Sequence, residues 1–306
     1  MSKFELLICP NCQNELQHVD NHLTCSNCNN NYQIIDGIPN FIKQSDINLD
    51  ERTSPDYWNK IWAQQDIDKH LASSRKKIEF YLNLTGLFDE TIDLIIKNSK
   101  GPINALEVGC GGSQFMPYFV KKLKDVNMWG FDRSFEGCKQ AKNNKTNIVC
   151  ADIFSCPFKK NSFDFVYDFT VIHHFKNPEK LLKIYSKLLK SDGILVCIVP
   201  NLHGFLGYAI DSINVNTMTK ISIENLYDWL KELGLKNINV RPVGGIHPLL
   251  FVTQSYRPDS PPFKEEALVF TSNYFFGMPL LAINIPFLFR LNSTMLSPFL
   301  IAQGNK

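Results

Sequence analysis

The stretch "INALEVGCGGSQF", residues 103–115, decides the fold. Six residues rich in aliphatics run into a glycine turn. The next ten, "FMPYFVKKLK", carry apolar residues at helical spacing. Strand, glycine turn and helix in that order open a βαβ unit. Gly109 and Gly111 let the backbone come close to a ligand, and the helix beyond them offers free N–H groups. The turn lacks the spacing and the lysine of a phosphate-cradling loop. Glu107 narrows the ligand further. An acid two residues before the first glycine sits badly beside a pyrophosphate and suits a ligand with a positively charged amino acid end.

The same alternation continues outward. "NMWGFD" ends at Asp132 and is followed by a helical stretch near "FEGCKQAKNN". "NIVCAD" ends at Asp152, and "FDFVYDF" starts at Phe163. The helix "PEKLLKIYSKLLK" then leads to "GILVCIVPN". Strands alternating with helices predict a mostly parallel sheet covered on both faces. A carboxylate at the end of the second strand, Asp132, is placed to bind both hydroxyls of a ribose. Both Asp132 and Asp152 have a plainer reading as helix N-caps, and Asp168, His173 and His174 as ordinary strand-end residues. Upstream, "DYWNKIWAQQ" and "RKKIEFYLNLTGLFDETIDLIIKN" predict helices between Tyr57 and about Lys97. Downstream, "SIENLYDWLKELGLKNINVRPV" reads as a helix with a partial capping box at Ser222 and Asn225, a stop at Gly234 and a strand.

A second pattern opens the chain. "ICPNCQNELQHVDNHLTCSNC", residues 8–28, holds two Cys-x-x-Cys pairs. Four thiolates suit a tetrahedral zinc ion with no open position, hence a structural site on Cys9, Cys12, Cys25 and Cys28. His18 and His22 read as loop residues outside the ligand shell. The other five cysteines, Cys110, Cys138, Cys150, Cys156 and Cys197, read as buried small hydrophobes. A unit this short cannot bury enough core alone, so the metal supplies much of its folding energy. "KQSDINLDERTSPD" follows as a linker.

Composition bounds the partners. The chain has 306 residues, 44% hydrophobic and 20% charged, with a formal charge of +2. That is an ordinary globular balance, without the basic excess of proteins that wrap nucleic acid. No apolar leader segment is evident at the N-terminus, and free or metal-bound thiols fit a reducing, cytoplasmic setting.

Two resemblances sharpen these readings. The knuckles together with "NNNYQIIDGIPNFI" resemble the zinc-ribbon domain of tRNA methyltransferase activator subunits. "ALEVGCGGS", "WGFD", "VCADIFSCPFKKNSFDFVYDFTVIHHF" and "LLKSDGILVCIVPN" resemble the successive motifs of class I S-adenosylmethionine-dependent methyltransferases. The family implies a Rossmann-like α/β fold with a seven-stranded sheet. It also implies S-adenosylmethionine as cofactor. Glu107, Gly109 and Gly111 would line its methionine end, Asp132 its ribose, and Asp152 with Ile153 its adenine edge. Phe169 and His173 fall where the family's fourth motif faces cofactor and substrate. Ser113 stands where many members have a third glycine.

The expected layout is a zinc ribbon over 1–45, a linker and N-terminal helices over 46–99, and a methyltransferase domain over 100–306. "SPFLIAQGNK" looks like the family's seventh, antiparallel strand, which leaves about 244–296 as an apolar insertion. No charged residue occurs over 267–289. Gly277, Pro279 and Pro286 argue against a single spanning helix. The insertion reads as a cap on the sheet, a dimer contact, a wall for an apolar acceptor or a peripheral membrane contact. An oxygen or nitrogen acceptor needs a base near neutral pH, for which His173, with His174 behind it, is the candidate. Tyr57, with Trp58, covers the cofactor. The expected acceptor is a small molecule, glycan or lipid. The alternatives are a ribosomal or transfer RNA and a cofactor-binding partner without turnover.

Overall fold

In a computed structural model of the chain, the described residues are 4–42, 54–63, 78–143, 145–204, 218–244 and 290–306. Most of the apolar insertion, the linker at 43–53 and the "HGFLGYAIDSINVN" loop from residue 205 lie outside them.

Four short strands open the chain: β1 (Gln17–Val19), β2 (His22–Thr24), β3 (Asn31–Ile35) and β4 (Ile38–Pro39), in the order β1-β2-β3-β4. Asp36 and Gly37 both take positive φ, so they form the tight mirror-image turn that matches strand twist. His18 and His22 face each other's strand in the β1–β2 hairpin rather than in a loop. Next come α1 (Pro55–Ala63), a helical segment at 78–85 and α2 (Asp89–Asn98). The long helical pattern before residue 98 is therefore broken, because Gly86 adopts φ +62°.

The large sheet contains β5 (Ile103–Val108), β6 (Val126–Asp132), β7 (Thr146–Cys150), β8 (Phe163–Phe169), β9 (Leu189–Pro200), β10 (Lys236–Val243) and β11 (Phe299–Asn305). Its order is β10-β11-β9-β8-β5-β6-β7. The strands run parallel except β11, which is antiparallel to both β9 and β10. This is the seven-stranded, Rossmann-like sheet that the resemblance implied, with "SPFLIAQGNK" supplying its antiparallel strand. β5 and β8 are buried on both faces, which is why their sequences read as nearly continuous apolar runs.

The helices that cover the sheet are α3 (Met116–Lys122), α4 (Phe135–Ala141), α5 (Pro178–Leu188) and α6 (Ile223–Glu232). α5 buries Leu181, Leu182, Tyr185 and Leu188, a three- and four-residue spacing. α6 starts on a complete capping box: Asn225 N–H donates to Ser222 Oγ, and Ser222 N–H donates to Asn225 Oδ1.

The strand order reverses between β5 and β8. Ligands of such sheets bind beyond the carboxyl ends of the strands at that point. At the opposite end, an amide ladder ties three strands. Asn127 donates to Asn104 at 3.0 Å and Asn147 to Asn127 at 2.9 Å.

The N-terminal unit packs on the outer edge of the sheet. Phe41 N–H donates to Cys150 O at 2.8 Å, Ile8 N–H to Pro157 O at 2.7 Å, and Lys159 N–H to Leu6 O at 2.9 Å. Leu7, Tyr32 and Phe41 belong to the same hydrophobic cluster as Trp129, Phe131 and Phe158. The edge strand β7 is thus partly covered within the chain itself. Among the other cysteines, Cys110, Cys138, Cys150 and Cys197 are buried, but Cys156 is only half-buried.

Candidate functional site

The site grows from the end of β5. Gly109 takes φ +65° and Gly111 φ +44°, conformations that glycine adopts without strain. Space also demands glycine. A Cβ on Gly109 would lie 2.6 Å from Val171 Cγ2, and one on Gly111 would collide with the Trp62 indole. Ser113 completes the turn at φ +55°, buried.

Asp132 ends β6 one strand away. Its Oδ2 accepts from Gly111 N–H and its Oδ1 from Ser134 N–H, both at 2.8 Å. The carboxylate therefore fixes the glycine turn and the start of α4 together. Burial raises its pKa, while those N–H bonds oppose the rise. Each oxygen keeps lone pairs for further donors. Ser134 caps α4 by accepting from Gly137 N–H at 3.1 Å, so the plainer reading of Asp132 as that helix's N-cap is not what forms.

Glu107 is 2% exposed and accepts the Tyr167 hydroxyl at 3.0 Å. Burial pushes its pKa up to about 8. Tyr167 and the Met116 N–H pull the other way, and the Asp132 charge adds to the rise. Asp168 points elsewhere: it is fully buried and bonded to Tyr185 Oη at 3.1 Å and Cys197 Sγ at 3.2 Å.

Asp152 does cap a turn. Its Oδ1 accepts from Phe154 N–H at 2.7 Å at the start of a short 3-10 turn, Ile153–Ser155. Its Oδ2 pairs with Arg133 Nη2 at 2.8 Å, and both side chains are under a tenth exposed. Ile153 is buried beside it.

Beyond β8 the residues divide. Phe169 stacks on Phe115 with centroids 4.1 Å apart and meets Phe299 edge-on. His173 is 2% exposed in the 3-10 turn Ile172–His174. His174 is half-buried, 4.0 Å from the His173 ring and 5.1 Å from Trp58. Tyr57 meets Trp58 at 5.3 Å, away from the contact that α1 makes with the glycine turn.

That contact belongs to residues the sequence did not single out. Trp62 lies against Gly111 and Gly137, and its carbonyl accepts from Gln140 Nε2 at 2.6 Å. Asn59 Oδ1 accepts from Ser134 Oγ at 2.8 Å and Glu136 N–H at 3.3 Å. α1 is thus bound to the turn and helix that Asp132 organises. The available signal was the pairing of a large aromatic face with glycines, which no spacing reveals.

The cysteine set sits apart. The four Sγ atoms of Cys9, Cys12, Cys25 and Cys28 lie within 4.8 Å of one another, with pairs at 3.5 Å and 3.3 Å. Four sulfurs at about 2.3 Å from one tetrahedral ion stand about 3.8 Å apart, so this set fits zinc. The Asn14 backbone N–H holds the Cys12 thiol down to about 6, as thiolate ligation requires, whereas burial raises Cys25 to about 11. Among the described residues no histidine joins this cluster.

Residues 106–197 match the family described as a methyltransferase domain. The chain is 29% identical over 138 residues to an uncharacterized protein of Methanocaldococcus jannaschii, covering 44% of this chain and 64% of that one. It is 26% identical over 140 residues to (S)-coclaurine N-methyltransferase of Papaver somniferum, covering 42% and 40%. It is 29% identical over 87 residues to tRNA (carboxymethyluridine(34)-5-O)-methyltransferase of Saccharomyces cerevisiae, covering 28% and 29%. The chain spans less than two thirds of the length of the first curated relatives it matches. The family match covers the central part of the chain, from within β5 into β9. No helix among the described residues is long and apolar enough to cross a membrane.

Proposed function

We propose that this chain transfers a methyl group from S-adenosylmethionine to a small-molecule, glycan or lipid-type acceptor. The observation that carries the cofactor half is Asp132, whose two oxygens are oriented by Gly111 and Ser134 N–H groups beside the point where strand order reverses. When bound, S-adenosylmethionine supplies the methyl group on its sulfonium. Asp132 accepts the ribose hydroxyls. Glu107, Gly109 and Gly111 hold the methionine end, where Glu107 ionises against an ammonium. Asp152 and Ile153 stand at the adenine end. Phe169 fills the wall beyond β8 and, by its stack with Phe115, keeps water from it.

On the acceptor side, the candidate base His173 is only 2% exposed, whereas His174, half-buried with its ring 4.0 Å from that of His173, is the more accessible of the two. His174 takes the acceptor proton where the acceptor atom carries one. Tyr57, with Trp58, covers the cofactor from α1, and Trp58 meets the His174 ring at 5.1 Å. Cys9, Cys12, Cys25 and Cys28 hold a structural zinc ion. The domains follow as a ribbon over 1–45, N-terminal helices over 46–99 and the methyltransferase domain over 100–306.

The near-neutral charge supports a small or amphipathic acceptor over RNA. The RNA reading keeps one specific support, the similarity to a tRNA methyltransferase. Methyl-labelled cofactor incubated with the protein and separated cell fractions tests the reading. Label in small-molecule or lipid fractions supports it. Label confined to RNA selects the second reading, and no label in any fraction refutes both.

A further inference from the structure

One hydroxyl of the N-terminal unit ends on a sulfur. Tyr32 Oη lies 3.2 Å from Cys9 Sγ, across 23 residues of chain, and both side chains are buried. Tyr32 sits in β3, and Cys9 opens the first Cys-x-x-Cys pair.

Electrostatics gives that contact a use. Four thiolates around a divalent ion leave two negative charges to be met. Cys12 and Cys28 are half-buried, so water reaches part of that charge. Cys9 and Cys25 are fully buried, and charge on them must be met by donors of the protein. Cys25 accepts from the backbone N–H groups of Cys28 and Asn27. Cys9 meets a side-chain hydroxyl instead. A tyrosine keeps its proton at neutral pH, and a metal-bound thiolate has none to give, so Tyr32 is the donor. The ring behind the hydroxyl is fixed. It packs on Phe41 with centroids 4.7 Å apart, and Phe41 N–H is itself held by Cys150 O.

We propose that Tyr32 holds the metal-bound Cys9 thiolate through its hydroxyl, and so sets both the zinc affinity and the electron donation of that sulfur. This rests on the zinc reading above. Hydrogen bonds behind a ligand fix its orientation and tune its basicity, and their loss weakens metal binding. A phenylalanine at position 32 keeps the packing on Phe41 and removes only the donor.

The test uses the full-length protein and its Tyr32→Phe variant, each loaded with zinc or with cobalt. Competition with a chromophoric chelator should show zinc bound about tenfold more weakly by the variant. In the cobalt form, the thiolate-to-metal charge-transfer band should move to longer wavelength, because a sulfur that has lost a hydrogen bond gives up its electrons more readily. A ring that served packing alone would move neither readout. Circular dichroism melts establish that the variant is folded. If it is not, replacement of the tyrosines by fluorotyrosine decides the matter. Its hydroxyl is the stronger donor, so the cobalt band should move to shorter wavelength. A zinc affinity within about twofold of the unsubstituted protein would overturn the proposal. So would an unmoved cobalt band in the folded variant or in the fluorotyrosine protein. If the unsubstituted protein binds neither metal, the zinc reading itself fails, and that failure is visible before any substitution is made.

Discussion

Glu107 makes cofactor binding a proton-release reaction. In the free protein its carboxyl is held up to about 8, chiefly by burial, with the charges of Asp132 and Asp168 adding to the rise and Tyr167 opposing it. At pH 7 it therefore carries its proton. An ammonium arriving beside it favours the ionised form, and the proton leaves. The sign follows: lowering the pH stabilises the free, protonated state, so affinity falls as pH falls below about 8. The slope approaches tenfold per pH unit, which amounts to about 25-fold between pH 7.5 and pH 6.0. Calorimetry with S-adenosylhomocysteine over that range measures it. Repetition at pH 6.5 in two buffers of different ionisation heat should show close to one proton released per ligand. Glu107→Gln should flatten the slope. An affinity that changed less than about twofold across the range, with no buffer dependence, would refute the reasoning.

Three further outcomes are expected. Burial raises Asp168 from 3.8 to about 7, so the folded state holds a proton that the unfolded state has lost, and stability falls as pH rises through that window. Asp168→Asn should lose less stability than the unsubstituted protein between pH 5 and pH 7 in urea titrations, by up to about 1.4 kcal/mol per pH unit; an equal loss would contradict it. Because Leu7, Tyr32 and Phe41 share a cluster with Trp129 and Phe158, zinc chelation should lower the melting temperature of the whole chain, and an unchanged main transition would count against the shared core. Trp62 packs on Gly111, so S-adenosylhomocysteine should change tryptophan emission, and Trp62→Phe should lose most of that change while Trp229→Phe keeps it.

The central sheet was legible because its strands are buried on both faces and separated by helical spacing, so each apolar run announced itself. The glycine turn and the acid that ends β6 stand at the boundaries of those runs, whereas the antiparallel last strand was expected only from the family resemblance. The single long helical stretch before residue 98 was not, since an apolar spacing runs straight through Gly86 while its backbone does not. Cys156 read as a buried hydrophobe, yet it lies at the end of a surface 3-10 turn. The engagement of Asp152 by Arg133 depends on the β6–β7 register, and the seat of Trp62 on Gly111 depends on where α1 docks. Both are tertiary facts with no local pattern. The cysteine cluster was legible from spacing alone, whereas its docking on the β7 edge rests on the Phe41–Cys150 bond between segments more than a hundred residues apart.

The most direct test of the cofactor reading is calorimetry of the folded, zinc-loaded protein with S-adenosylmethionine, repeated with Asp132→Ala. Two hydroxyl hydrogen bonds to a carboxylate contribute about 3–6 kcal/mol, so micromolar binding should weaken by at least about a hundredfold in the variant. Absence of binding by the unsubstituted protein, or equal binding by a folded Asp132→Ala variant, would contradict it.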